Sequence, residues 1–343
     1  MFKHQNFKLS RNGVENYFWP ISREEVKKLF QELICESSLY FRTSTADPDN
    51  KFIEHLKIIN LYFVLKVADL YQKKILNSEI TNARKNNINI DIFESDINRN
   101  KNRYLDIVKS RNWQKINKNK ILLYLRNQIV SLYRNDGFKR VELSKVNNND
   151  IVLTGVNPLA SEFSKIKNLS VSLVKITDYF QGANPEDIEI FLDRENSEYF
   201  EAEKFNRYIE IFTHSLKKRG IELSDEDFSE LNVWHKEFSL CISYYQKLLD
   251  NQTYNLPKKL WTSSAGILWN KLLAIEVRKQ GGKVTGFDHA NGSTLSIETV
   301  FPFIELQEVD IFVTHSKTFV SYFREAAKNQ LYYEECPSII SIK

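Results

Sequence analysis

The chain has 343 residues, of which 42% are hydrophobic and 27% are charged, and its formal net charge is +4. This composition is ordinary for a globular protein, and the length is enough for one large core or two smaller ones. The small net charge argues against a dedicated nucleic-acid-binding protein, so no nucleic-acid partner is expected. Three widely spaced cysteines form neither a disulfide framework nor a Cys-x-x-Cys metal site, which favours a reducing cytoplasm.

The sequence predicts neither a secretory signal nor a membrane span. The first residues are polar, no apolar signal core follows them, and no run approaches eighteen apolar residues. We therefore expect a cytoplasmic protein, in which any membrane contact is peripheral.

Residues 1–147 are predicted to be mainly helical. Ser22-Arg-Glu-Glu25 has the form of a capping box, and apolar residues follow it at helical spacing to about Ser38. A second helical pattern runs from Phe52 to about Ile75. It is apolar around much of its circumference, which predicts a well-buried helix.

A basic insertion rich in Asn and Lys occupies residues 76–120. Its part from 98 to 120 has eight basic residues against one acidic residue, Asp106, and Tyr104 and Trp113 are interleaved. Such a segment suits contact with phosphates, acidic lipid or an anionic polymer. The alternative is a solvated insertion or exposed helix face, which is what basic runs usually are.

Residues 148–335 are predicted to form a Rossmann-like α/β domain. The segment Asp150–Pro158 is typical of a buried strand that leads into a loop and then a helix, and Val171–Ile176 is a second strand. The pattern from Tyr199 to Asn251 is helical, with a new helix start at Ser224.

A β-α-β unit is predicted from Lys259 to Asp288. Lys259–Thr262 is a short strand, a helical pattern continues to Gln280, and Lys283–Asp288 is the second strand. Strands in such a unit are parallel, and ligands of open α/β sheets bind outside the carboxyl ends of the strands. The residues expected at that edge are Thr154, Gly155, Thr262, Ser263, Asp288, His289 and Ser316.

His289 is the candidate catalytic residue at this edge. An imidazole titrates near neutral pH and can accept the proton of an attacking hydroxyl. Asn291-Gly292-Ser-Thr294 offers N–H groups and hydroxyls that suit sugar hydroxyls or phosphate oxygens. The alternative is a surface turn in which the histidine only bonds the backbone. His315 and Ser316 follow a later strand, where Ser316 is equally well explained as a helix N-cap.

Four short motifs in residues 255–343 carry a family resemblance. They are Trp261-Thr-Ser-Ser264, Gly282-Lys-Val284, Phe287-Asp-His-Ala-Asn-Gly292 and Asp310-Ile-Phe-Val-Thr-His-Ser316. Together they resemble GT-B-type glycosyltransferases that build bacterial surface polysaccharides, and related transferases that polymerise polyol phosphates.

The match to the family's motif is partial. In that family a Gln-His-Gly-like turn closes a strand of the N-terminal Rossmann-like domain, and its histidine and glycine fall on His289 and Gly292. The chain differs in having Asp288 in place of the glutamine and Ala290-Asn291 between histidine and glycine.

The resemblance implies an activity and a set of roles. A sugar would pass from a nucleotide-activated donor to a surface-polysaccharide acceptor, with His289 or Asp288 as the base that deprotonates the acceptor hydroxyl. No cofactor and no metal ion is expected, and any membrane contact would be at the inner membrane face. The residues expected to bind the sugars are Ser263, Asn291, Gly292, Thr294, His315 and Ser316.

The resemblance also concerns residues 336–343. They are expected to be the first strand of a second Rossmann-like domain, which in GT-B enzymes binds most of the activated sugar. On this expectation the chain is the acceptor-side half, binds the donor weakly by itself, and needs a partner chain for the second domain.

Two hypotheses from other classes stay open. In one, the protein is a non-catalytic binding or scaffold protein whose basic segment 98–120 holds an anionic polymer or a membrane surface. In the other, it is an enzyme with a phosphate-bearing ligand on a Rossmann-like core, although neither a Gly-x-Gly-x-x-Gly nor a Walker loop is present.

Overall fold

A computed structural model of the chain describes residues 5–7, 17–19, 23–44, 53–85, 138–180, 202–250, 256–288, 301–328 and 337–342. The chain divides into two compact units, named here the helical unit and the sheet unit. The helical unit comprises Met1–Val108 and Ser197–Ser239, and the sheet unit comprises Lys109–Asn196 and Leu240–Lys343.

The elements are numbered along the chain. The helices are α1 (Arg23–Ser44), α2 (Ile53–Lys85), α3 (Pro158–Ile166), α4 (Ala202–Lys217), α5 (Asp225–Asp250), α6 (Leu268–Lys279), α7 (Phe301–Leu306) and α8 (Lys317–Lys328). The strands are β1 (Gln5–Phe7), β2 (Tyr17–Trp19), β3 (Lys139–Arg140), β4 (Ile151–Thr154), β5 (Val171–Val174), β6 (Lys259–Thr262), β7 (Lys283–Phe287), β8 (Ile311–Thr314) and β9 (Ser338–Ser341). Short 3-10 helices follow β3 and β5.

The core of the helical unit is aromatic and centres on Phe63 of α2. Its ring lies 5.4 Å from that of Tyr208 and 5.2 Å from that of Phe212, both on α4, and 5.9 Å from that of Trp234 on α5. These contacts join three helices through one fully buried side chain. No helix within the described ranges combines enough length with enough apolar character to cross a bilayer.

The helical unit includes residues that were expected in the α/β domain. Helix α4 and the part of α5 up to Ser239 belong with the N-terminal helices, whereas the sequence places them in the α/β part. Two ion pairs show the connection: Lys66 to Glu230 at 2.7 Å and Lys74 to Asp227 at 2.5 Å. An apolar helical pattern indicates which face of a helix is buried, but it does not indicate which other helices pack against that face. The predicted basic segment 98–120 lies outside the described residues.

The sheet unit is α/β and Rossmann-like, as expected. Within the described residues, seven strands form one sheet in the order β3-β5-β4-β6-β7-β8-β9, and every neighbouring pair is parallel. The predicted β-α-β unit is β6-α6-β7, with Lys259 opposite Lys283 and Thr262 opposite Gly286.

Helices cover both faces of this sheet. On one face Phe163 of α3 packs against Trp261 and Phe287, with ring centroids 5.6 and 5.8 Å away. On the other face Thr154 donates a hydrogen bond from its hydroxyl to Oδ1 of Asn270 on α6, at 2.9 Å. Successive strand residues point to opposite faces, so α3 and α6 lie on opposite sides of the sheet.

The last strand, β9, belongs to a different sheet from the one expected. Residues 336–343 were expected to open a second domain, but β9 continues the same sheet by pairing in parallel with β8, with Ile311 opposite Ser338. Ile339 is buried there, and Arg324 of α8 donates a hydrogen bond to its carbonyl at 3.2 Å. A short apolar strand gains hydrogen bonds and burial wherever a sheet edge is free, so its sequence does not identify its partner.

Candidate functional site

The order of the strands places a topological switch point between β4 and β6. From β4 the chain passes through α3 to β5 on one side of β4, and β6 lies on the other side of β4. The loops after β4 and β6 lead to α3 and α6, on opposite faces of the sheet. In open α/β sheets such a divergence forms the crevice in which ligands bind.

The two loops approach closely at Gly155 and Ser263. Gly155 has a φ of +101°, and a Cβ atom at this position would lie 2.5 Å from Oγ of Ser263. The Ser263 hydroxyl donates to the carbonyl oxygen of Thr154 at 2.9 Å. Only glycine accommodates both this backbone conformation and this contact, so the approach of the two loops depends on Gly155.

Asn157 connects the ends of three strands and is almost completely buried. Its Oδ1 accepts hydrogen bonds from the backbone N–H groups of Leu159 at 2.8 Å and Ala160 at 3.2 Å, which caps α3. Its Nδ2 donates to the carbonyl oxygens of Ser263 at 2.8 Å and Asp288 at 3.3 Å. One carboxamide therefore ties the loop after β4 to the residues that follow β6 and β7.

Asp288 directly follows β7 and is held from two sides. Its N–H donates to the carbonyl oxygen of Val313 at 2.9 Å, and its Oδ2 accepts from the Thr314 hydroxyl at 3.2 Å. The residue is 2% exposed. This carboxylate is therefore a buried anchor between β7 and β8.

A buried carboxylate lies beside the loop that leads into α6. The Ser264 hydroxyl donates to Oε1 of Glu305 at 3.3 Å, and Nδ2 of Asn270 donates to the carbonyl oxygen of Ser264 at 2.7 Å. A Cβ at Gly266 would come within 2.8 Å of the same Glu305 oxygen. The loop after β6 is thus shaped by close contact with Glu305.

Lys271 of α6 holds the chain segment that returns to β8. Its ammonium donates to the carbonyl oxygens of Ile304 at 2.6 Å and Gln307 at 3.2 Å. Burial lowers the pKa of Lys271, while the negative charges of Glu308 and Glu305 oppose that shift. The last carbonyl groups of a helix have no N–H partner within that helix. The Lys271 ammonium supplies the hydrogen-bond donors for these carbonyls at the carboxyl end of α7.

Side chains cap two of the three described helix starts at this edge. Asn157 caps α3, Ser316 accepts a hydrogen bond from the N–H of Phe319 at 3.4 Å at the start of α8, and Glu305 lies beside the loop before α6. The positive end of a helix attracts anions, and side chains already occupy it at α3 and α8, whereas α6 begins without a side-chain cap.

The structure brings part of the predicted site together. Ser263 lies at the switch point, and Asn157 links it to Asp288 at the end of the adjacent β7. His315 and Ser316 are half-buried at the end of β8, next to β7. The predicted residues His289, Asn291, Gly292 and Thr294 lie outside the described residues.

Three residues of the site were not identified as such in the sequence. Asn157 carries a usable signal, because an Asn directly before a Pro is typical of a helix N-cap followed by its first residue. Glu305 and Lys271 carry none, because their partners come from other elements.

Within the described ranges, no three or more His, Cys, Asp or Glu side chains are grouped so that they could hold a metal ion. Comparison of the chain with protein-family models, with curated proteins and with solved structures finds no match.

Proposed function

We propose that this protein transfers a sugar from a nucleotide-activated donor to a hydroxyl of a surface-polysaccharide acceptor, and that the sheet unit binds the acceptor. The observation that supports this most is the topological switch point of the parallel sheet, with Ser263 and Asp288 linked at its carboxyl edge by Asn157. The hydroxyls of Ser263 and Ser316 and the imidazole of His315 lie at this edge and would suit a hydroxyl-rich ligand.

The proposed reaction is a displacement at the anomeric carbon of the donor. His289 accepts the proton of the acceptor hydroxyl while its oxygen forms the new bond to that carbon. The bond from the carbon to the phosphate oxygen breaks, and the nucleotide leaves with the bonding electrons. An imidazole is suited to this role because it is largely neutral near pH 7 and its conjugate acid is stable there.

Asp288 has a different part in the proposal. Its carboxylate is buried and accepts a hydrogen bond from Thr314, so little of it is accessible to an acceptor hydroxyl. We assign it the role of holding the chain directly before His289. The proton acceptor is therefore His289 rather than Asp288.

Sugar binding uses both polar and apolar groups of the crevice. Val156 in the loop after β4 is 38% exposed, and Ile267 in the loop after β6 is 39% exposed. Aliphatic surface on either side of a few oriented polar groups is the usual composition of a small-molecule site. The polar groups in the proposal are those of Ser263, Asn291, Gly292, Thr294, His315 and Ser316.

A transfer assay tests the proposal. The purified protein is incubated with a panel of nucleotide sugars and short surface-glycan fragments, and products are detected by mass spectrometry. The expected result is an acceptor heavier by one sugar residue, without an added cofactor.

The binding hypothesis predicts a different outcome. Under it, the protein shows no transfer and binds acidic liposomes or an anionic polymer with an affinity that falls steeply as salt rises. That pair of results would replace the proposed enzyme with the scaffold protein.

A further inference from the structure

Asn157 is the residue whose contacts reach furthest across the carboxyl edge. It is 1% exposed, and its two side-chain polar atoms make four hydrogen bonds. The two bonds to Oδ1 cap α3 and are local. The two bonds from Nδ2 span 106 and 131 residues of chain and reach the carbonyls of Ser263 and Asp288.

The two kinds of bond have separable consequences. A helix cap needs only an acceptor, which serine, aspartate or threonine also provides. Contact with two carbonyl oxygens needs a donor with two hydrogens, and a side-chain carboxamide supplies it. The long-range bonds therefore explain a carboxamide at this position, whereas the cap alone does not.

The carbonyls that Asn157 holds belong to residues of the proposed site. Ser263 presents its hydroxyl at the switch point, and Asp288 is also bonded by Val313 and Thr314 of β8. Without the Nδ2 bonds, the segments after β6 and β7 would lose their direct tie to the start of α3.

We infer that Asn157 is a positioning residue, whose carboxamide sets the spacing between the Ser263 and Asp288 ends of the acceptor crevice. This inference rests on the proposed function, since it assigns a role in the same site. It adds a residue that contacts no substrate and acts through the two backbone segments it joins.

The Asn157→Asp variant separates the cap from the long-range bonds. An aspartate keeps the size of the side chain and the acceptor for Leu159 and Ala160, and its charge suits a helix start. It replaces the nitrogen that donates to Ser263 and Asp288 by an oxygen, which cannot donate and repels those two carbonyl oxygens. If sugar transfer is lost while the α3 cap is kept, Asn157 acts by positioning the site residues and not only by stabilising the fold.

The matched control is Ser224→Ala in the helical unit. Ser224 caps α5, with its hydroxyl accepting from the Asp227 N–H at 3.3 Å and donating to the Asp227 carboxylate at 2.7 Å. Its loss costs stability but touches no residue of the crevice, so kcat should match that of the wild type.

Two measurements are made on the full-length wild type and on both variants. The first is kcat and KM for sugar transfer. For Asn157→Asp we expect kcat to fall roughly ten- to a hundredfold, the cost of a small misplacement of reacting groups, with KM for the donor little changed. An unchanged kcat in an active enzyme overturns the inference.

The second measurement is amide hydrogen exchange, which does not depend on activity. In Asn157→Asp the Asp288 amide, bonded to Val313, should exchange faster, while the Leu159 and Ala160 amides keep their protection. Unchanged exchange at Asp288 overturns the inference whether or not the wild type transfers sugar. A wild type that transfers no sugar sinks the proposed function instead, and the exchange data still decide whether Asn157 holds these strand ends.

Discussion

At the scale of single residues, the switch point depends on the absence of a Cβ at Gly155 and on the side-chain carboxamide of Asn157. The missing Cβ of Gly155 lets the Ser263 hydroxyl reach the carbonyl of Thr154, and the carboxamide of Asn157 ties the neighbouring strand ends together. A steric requirement and a hydrogen-bonding requirement thus meet within three consecutive residues.

Gly155→Ala should therefore destabilise the protein more than an alanine at another glycine with positive φ. Gly281 is the matched control, because its φ is +76° and nothing lies within 4 Å of a Cβ there. The strained φ is worth about 1 kcal/mol at each position, and the clash with Ser263 adds to it only at Gly155. Urea unfolding measures the difference, and equal losses for the two variants would contradict the described contact.

His235 in the helical unit gives a pH prediction. It is buried against Phe63, with ring centroids 5.1 Å apart, and burial lowers its pKa to about 3, from 6.5. Between these two pKa values His235 is protonated in the unfolded chain but not in the folded protein. The contribution of His235 to stability is complete above pH 6.5 and declines by about 1.4 kcal/mol per pH unit below it.

Replacing His235 tests that linkage. His235→Phe should lose less stability than the wild type when urea unfolding is compared at about pH 7 and about pH 5. His214→Gln, at an exposed histidine of the same unit, is the control. The same acid-induced loss in His235→Phe and the wild type would show that His235 is not the group responsible.

At the scale of elements, α6 organises the chain on its side of the crevice. Its first turn meets Ser264 through Asn270, and Lys271 reaches the end of α7. The preceding loop passes close to Glu305 at Gly266. The position of the loop after β6 thus depends on charged and polar groups buried beneath it.

Lys271→Met should be strongly destabilising although it removes a buried charge. The variant leaves two carbonyl oxygens without their donor and removes the positive charge that Lys271 places near Glu305 and Glu308, although Glu308 keeps its ion pair with Arg278 at 2.8 Å. Removal of one member of a buried charged group typically costs about 3–5 kcal/mol. Lys279→Met is the control on the same helix, since its ion pair with Glu276 is close to the surface and worth at most about 1 kcal/mol. If the free energy of unfolding falls equally in the two variants, the structural role assigned to Lys271 is wrong.

The elements that sequence patterns predict well are those with local signals. The strands β4, β6 and β7 are short apolar runs that end in polar or glycine residues, and Ser224 begins α5 through hydrogen bonds with Asp227. Strand β3 has no such signal, because it consists of two exposed basic residues at one end of the sheet.

The rest of the arrangement depends on contacts that are distant in sequence. Asn157 and Asp288 are 131 residues apart, and Lys66 and Glu230 are 164 residues apart. No periodicity encodes such pairings, so the pattern could not show that α4 and the part of α5 up to Ser239 belong to the helical unit, or that β9 belongs to the main sheet. Likewise, the edge residues could be predicted, but the carboxamide that joins them could not.

At the scale of the whole molecule, the chain consists of a helical unit with an aromatic core and a Rossmann-like sheet unit that contains the switch point. The described part of the proposed site lies entirely in the sheet unit. We therefore expect the determinants of sugar transfer in the sheet unit, and substitutions in the helical unit to act through stability.

The central claim is that His289 is the base in sugar transfer, and turnover of His289→Gln tests it most directly. The variant keeps a polar side chain of similar size but cannot accept the proton. Transfer is followed with the nucleotide sugar and acceptor on which the wild type is active, and circular dichroism confirms that the variant is folded. We predict that kcat falls at least about tenfold, the low end for loss of a general base, with an unchanged melting temperature. A folded His289→Gln protein with wild-type kcat would contradict the account.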